Sequence, residues 1–185
     1  MAEKRGIELR LVGVLVLIML FSGLFLTVVY EVTIPYIREH QAQARERAVF
    51  EVLPKAVEFE PLTVNDLVIF RGMNEEGRTV GYALEETGAG FQDMIILMVG
   101  LDLETGRVTG LSVLRMSETP GLGARITEAD FRSQFVGKEL SGSFKAGKDF
   151  DAITGATLSS QTVGHIIENA AAKVLALDLE GGDKK

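Results

Sequence analysis

The spacing of hydrophobic positions changes along the chain, and each spacing predicts a different element. From Leu11 to Tyr30, twenty successive residues carry no charge. At about 1.5 Å of rise per residue such a helix covers about 30 Å, the thickness of a bilayer's hydrocarbon core. Gly13, Ser22 and Gly23 interrupt the run, as membrane helices tolerate, and Tyr30 and Tyr36 suit the interface beyond it. The run is longer than the apolar core of a signal peptide, and no small-x-small cleavage pattern follows it. A retained transmembrane helix is predicted over residues 11–32, after a short polar stretch at 1–10.

Residues 33–55 form a predicted linker helix. Over 37–53 its charges alternate in sign, from Arg38 and Glu39 to Glu51, and Ala44, Ala48 and Val52 offer a thin apolar stripe. That pattern predicts a solvated spacer, ended by Pro54. Residues 56–116 then read as strands. Leu67–Phe70 and Thr79–Leu84 flank a polar turn over 71–77. Met94–Val99 is a continuous apolar run, as in a strand buried on both faces. Asp102–Arg107 is a hairpin loop leading to a partner strand over 108–115. Two β-meander segments packed on helices are expected, with Gly88-Ala89-Gly90-Phe91 as a loop between strands that needs positive φ. No alternation of the Rossmann type appears.

After the strands, Pro120-Gly121 within Ser117-Glu118-Thr119-Pro120-Gly121-Leu122-Gly123 predicts a type II turn. A helix follows over 126–135, with Thr127 as its cap and Phe131 and Phe135 in the core. The last helix has the clearest face: Val163, Ile166, Ile167, Ala170, Ala171 and Val174 recur at three and four. Ahead of it lies a glycine turn crowded with hydroxyls, Thr154, Gly155, Thr157, Ser159 and Ser160. A helix start exposes unpaired N–H groups and the positive end of the helix dipole, where a phosphate sits well. The same hydroxyls are equally readable as helix caps. Lys145 and Lys148, just upstream, are either ordinary surface lysines or partners for an anion.

Composition removes several classes. A formal net charge of −7 argues against nucleic acid as a partner. With no Cys, the chain has no disulfide, no thiolate-held iron–sulfur cluster, no c-type haem attachment and no cysteine nucleophile. The two His, His40 and His165, lie far apart, and no metal-ligand spacing forms around them. There is no P-loop. Redox chemistry here requires a borrowed cofactor.

Asp151-Ala152-Ile153-Thr154-Gly155-Ala156-Thr157 resembles the flavinylation motif of FMN-binding domains, and Ser117–Gly123 resembles a second stretch of that family. The order of parts resembles the FMN-binding G component of the Rnf complex, the ion-translocating ferredoxin:NAD oxidoreductase, over nearly the whole chain. The C component of the sodium-pumping NADH:quinone reductase is a relative. The resemblance implies an α+β fold: a single N-terminal transmembrane helix, then a small mixed antiparallel-sheet FMN-binding domain with flanking helices, over 56–180; the polar residues 181–185 are expected to form a flexible tail. It implies that a flavin transferase joins FMN, through its phosphate, to Thr157, with Asp151 serving recognition by that enzyme. Thr154, Gly155, Ala156, Leu158, Ser159 and Ser160 then surround the phosphate, and Glu118, Thr119, Gly121, Leu122 and Gly123 meet the ring. Lys145 is the cation assigned to that site.

A chain without an NAD fingerprint or iron–sulfur ligands is one station in a longer route, not an oxidoreductase alone. Its implied partners are other subunits, polytopic ones included, together with the transferase and membrane lipid. The basic residues Lys4, Arg5 and Arg10 before the span nearly balance Arg38, Arg45 and Arg47 after it, but lie closer to it. That favours a cytoplasmic N-terminus. The resemblance implies the same in a bacterial inner membrane, with the FMN domain on the outer face. Two other readings stand beside this one: a membrane-tethered binding or sensor domain without cofactor, and a free-standing extracytoplasmic flavoprotein reductase.

Overall fold

The computed structural model describes residues 2–65 and 67–177, with side chains from Arg10 onward; the tail expected at 181–185 lies outside them. The chain divides into two units, Met1–Gln43 and Ala44–Lys185. Helix α1, Ala2–Val52, makes up the first unit and enters the second, and Pro35 does not end it. Among the described residues it is the one helix long and apolar enough to cross a bilayer. The large apolar side chains from Leu11 to Val32 are exposed to the surroundings, as a span facing lipid requires. The Thr27 hydroxyl donates to the Gly23 carbonyl at 2.9 Å, so this polar group needs no water.

The second unit is built on a five-stranded antiparallel sheet in the order β1-β2-β3-β4-β5. The strands are β1 Glu58–Val64, β2 Leu67–Met73, β3 Thr79–Ala89, β4 Met94–Asp102 and β5 Arg107–Arg115. This is one continuous meander rather than two segments. β1 carries Pro61, which an edge strand tolerates because no neighbour needs its missing N–H. β2 runs on to Met73, so the turn is tighter than 71–77. There the Asn74 side-chain oxygen accepts the N–H groups of Glu76 and Arg78, at 3.0 and 2.9 Å.

The expected loop at Gly88–Phe91 is half strand. Gly88 and Ala89 end β3, and neither Gly88 nor Gly90 has positive φ. What these positions require is space: a Cβ on Gly88 would lie 2.7 Å from the Thr162 methyl.

β4 is covered on both faces, as its apolar run predicts. On one face Ile95, Leu97, Val99 and Leu101 pack against the last helix, α3, Thr157–Leu175. The six residues of its predicted face are all buried. On the other face Met98 packs with Ala48, Val49, Val52 and Leu53. The solvated-spacer expectation therefore fails for the last turns of α1. Gly100 and Gly110, paired across β4 and β5, admit them. A Cβ on Gly100 would lie 2.3 Å from the Val52 carbonyl oxygen, and one on Gly110 2.6 Å from its Cα. The Thr109 hydroxyl donates to that carbonyl at 2.6 Å, and the Ser112 hydroxyl to the Glu51 carboxylate at 2.5 Å. Arg132 joins the Glu51 carboxylate to the Leu111 carbonyl.

The predicted helix over 126–135 is two short pieces, a 3-10 helix Gly123–Thr127 and α2, Ala129–Ser133. Thr127 is not the cap. Its hydroxyl donates back to the Ala124 carbonyl at 2.9 Å, and Glu128 occupies the cap position. Phe131 and Phe135 are core, as expected, and stack with Phe150 in a cluster whose closest ring centroids are 4.7 Å apart.

Candidate functional site

Three segments distant in sequence meet at the start of α3. The first is the turn Thr119–Leu122. The Leu122 N–H donates to the Thr119 carbonyl at 3.1 Å and Gly121 has φ +75°, as a type II turn with Pro120 in second place requires. The second is the chain entering α3. Gly155 sits at φ +79°, and the Ala156 N–H donates to the Ile153 carbonyl at 2.9 Å. The third is the loop Gly90–Asp93 between β3 and β4, closed by the Gly90 N–H on the Asp93 carbonyl.

Glu118 joins all three. One carboxylate oxygen accepts the backbone N–H groups of Phe91 and Gln92, at 2.8 and 3.3 Å. The other accepts the Ser159 hydroxyl at 2.8 Å. The Gln92 amide also donates to the Thr119 hydroxyl at 2.9 Å. Between the segments lies an open cleft of about 410 Å³. It is lined by Phe91, by Glu118, Thr119, Leu122 and Gly123, and by Gly155, Ala156, Thr157, Leu158 and Ser159.

The hydroxyls of the helix start do not cap it. Ala156 is the cap residue and makes no side-chain bond, so Thr157 is the first helical residue. Ser160 is buried; its hydroxyl donates to the Ala156 carbonyl at 2.9 Å and accepts the Ile153 N–H at 3.0 Å. Its own N–H already bonds the Ala156 carbonyl at 3.0 Å. Among the described residues, the N–H groups left open at the helix start are thus those of Thr157, Leu158 and Ser159. Thr157 is exposed on the cleft wall, and its hydroxyl has no partner among the described residues.

Of the thirteen candidate residues, the nine that line the cleft are Glu118, Thr119, Leu122, Gly123, Gly155, Ala156, Thr157, Leu158 and Ser159. Gly121 shapes the turn from outside the lining, and Thr154 is exposed beside it. Lys145 lines neither this cleft nor the open polar hollow around Lys138 and Asp149. Its N–H closes a turn on the Asp149 carboxylate at 2.9 Å. The Ser143 hydroxyl, with that Lys145 N–H, holds the Asp149 carboxyl below the usual range. Asp151 is exposed, and its backbone is latched to the Gln134 side chain, the N–H at 2.8 Å from the amide oxygen. Phe91 is the lining residue that sequence reasoning left out. It is 69% exposed, and the only hint in the sequence is an aromatic after a glycine pair.

These residues fit a flavin mononucleotide. Phe91, Leu122 and Leu158, each more than 40% exposed, offer apolar surface to a ring system. The open N–H groups and the helix dipole offer a phosphate its charge complement, with a free hydroxyl beside them.

Known proteins point the same way. The FMN-binding domain family matches residues 90–172, a segment that includes Phe91, Glu118 and Thr157. The chain is 34% identical to the G component of an ion-translocating oxidoreductase complex of Methanosarcina acetivorans, over 95% of this chain and 98% of that one. It is 31% identical to the G component of the Na(+)-translocating ferredoxin:NAD(+) oxidoreductase complex of Acetobacterium woodii, over 71% of this chain and 74% of that one. Its fold is similar to a crystal structure of Shewanella oneidensis NqrC, with a TM-score of 0.49 and 23% identity, over 64% of this chain and 67% of the other. The chain therefore belongs to the family of G components of Rnf-type ion-translocating oxidoreductase complexes and carries that family's FMN-binding domain.

Proposed function

We propose that this chain carries electrons within a membrane-bound ferredoxin:NAD oxidoreductase that moves ions, on an FMN joined by a phosphoester to Thr157. The single observation that supports the attachment is the Thr157 side chain: exposed, without a hydrogen-bond partner among the described residues, and at the first position of α3 beside its open N–H groups. Those N–H groups and the helix dipole offset the charge of a phosphodiester there. Leu122 and Leu158 shield a ring from water, and the Glu118 network keeps the cleft walls in register. The bound FMN supplies the electron chemistry that the chain's own side chains lack. Covalent attachment keeps it from being diluted away.

In this reading the helix over 11–32 anchors the chain, with its N-terminus in the cytoplasm and the FMN domain on the extracytoplasmic side. Electrons arrive from and leave to other subunits, polytopic ones among them, and a flavin transferase that recognises exposed Asp151 makes the bond. The test is intact mass and peptide mapping of the membrane-extracted chain, produced alongside a flavin transferase. One FMN on the peptide containing Thr157 is expected, and none in Thr157→Val, which keeps the shape and removes the hydroxyl. An unmodified wild-type chain, from cells that flavinylate a control protein, overturns the proposal.

A further inference from the structure

We propose that Glu118 sets the reduction potential of the flavin in this cleft, by fixing an uncompensated negative charge in the cleft wall. The inference rests on the proposed flavin site and adds a role for a residue that does not itself react.

Glu118 is only 6% exposed. The backbone N–H groups of Phe91 and Gln92 can only donate, so the oxygen they share acts purely as an acceptor. No lysine, arginine or histidine pairs with Glu118 among the described residues; the nearby Arg115 is paired to Asp93. Two glycines make room for it. A Cβ on Gly90 would lie 2.2 Å from one carboxylate oxygen, and one on Gly123 2.6 Å from the other.

A buried carboxylate with no cation is costly, even when hydrogen-bonded. Holding three segments together does not require the charge. Glutamine has the same shape: its carbonyl oxygen accepts the two N–H groups, and its amide donates to the Ser159 hydroxyl oxygen. The charge therefore points to a second role, and the cleft it borders supplies one. Reduction puts electrons from a donor onto the flavin ring. Where fewer protons than electrons are taken up, the ring gains negative charge. A fixed carboxylate in a wall of low polarity opposes that gain and lowers the potential.

The experiment is a potentiometric titration of the full flavinylated chain in detergent, with dithionite as reductant and redox mediators, read by visible absorbance. Flavin content is measured first, by mass. In Glu118→Gln the potential rises by about 30 mV for two-electron reduction, equivalent to a tenfold change in the reduction equilibrium. Ser159→Ala keeps the charge but removes a donor that disperses it, so its potential falls. Opposite signs support the inference. Loaded protein with no shift in either variant, or shifts of the same sign, overturns it and leaves the Thr157 attachment intact. If Glu118→Gln does not accumulate, Ser159→Ala decides alone: a fall supports, and no change or a rise overturns. A wild-type chain without flavin overturns the site itself, and this inference with it.

Discussion

The two faces of the sheet are finished in opposite ways. On one, the last turns of α1 are pressed into a slot cut by Gly100 and Gly110. Even the Val52 carbonyl finds a donor there, in Thr109. On the other, α3 packs as tightly from Val163 to Val174, but its first turn is left open, with Thr157 and Leu158 exposed and three N–H groups without helical partners. A carbonyl and a carboxylate already bonded by the chain's own Thr109, Ser112 and Arg132 are not left open for a ligand. The open turn keeps its bonding capacity for something else, at a cost to local stability that the dense packing of the rest of α3 offsets.

The strongest way to break this contrast is to remove the closed face. A chain beginning at Ala44 keeps Ala48, Val49, Val52 and Leu53, and should unfold cooperatively. One beginning at Lys55 loses them, at about 1.5–3 kcal/mol for each of the three larger side chains, and should fail to fold or unfold at much lower denaturant. Equal denaturation midpoints for the two would mean that α1 contributes nothing to the domain. A smaller effect is expected from Gly100→Val, since the atom its Cβ meets is backbone and cannot swing aside. About 3 kcal/mol of stability should be lost in equilibrium unfolding. The smallest effect on stability, and the sharpest contrast, belongs to Leu158→Ala on the open turn. Its unfolding midpoint should stay within about 0.5 kcal/mol of the parent. The visible spectrum of bound flavin should change as water reaches it; an unaltered spectrum would remove Leu158 from the ring's surroundings.

The open face was largely readable in the sequence and the closed face was not, for physical reasons. The buried side of α3 repeats every three to four residues, β4 is an unbroken apolar run, and Pro120-Gly121 allows few turn types. Each of these is a local signal. The docking of α1 depends on what is missing from strands fifty residues later. Ala44 is indeed solvated, but the last residues of the stripe, Ala48 and Val52, look so too until Gly100 and Gly110 are seen to admit Val52. Phe91 entered the cleft for a similar reason, because its N–H bonds a carboxylate 27 positions away. The two short helical pieces at 123–133 misled through Thr127, whose hydroxyl has an acceptor three residues behind it and so never reaches forward to cap. Within the strand region 56–116 the pattern picks out no strand ahead of Leu67; β1 lies there and carries Pro61, which suits its edge position.

The fixed geometry around Thr157 also bears on the order of events in maturation. Ile153, Ala156 and Ser160 are buried on either side of it and bonded to one another. An enzyme that needed this segment as an extended peptide would have to unravel the first turn of α3 to reach it. One that reads Asp151, Thr154, Thr157 and Leu158 from outside meets all four on an already folded surface. Under the proposed attachment, an enzyme of the second kind would load a domain that has already folded, and loading would double as an inspection of the fold.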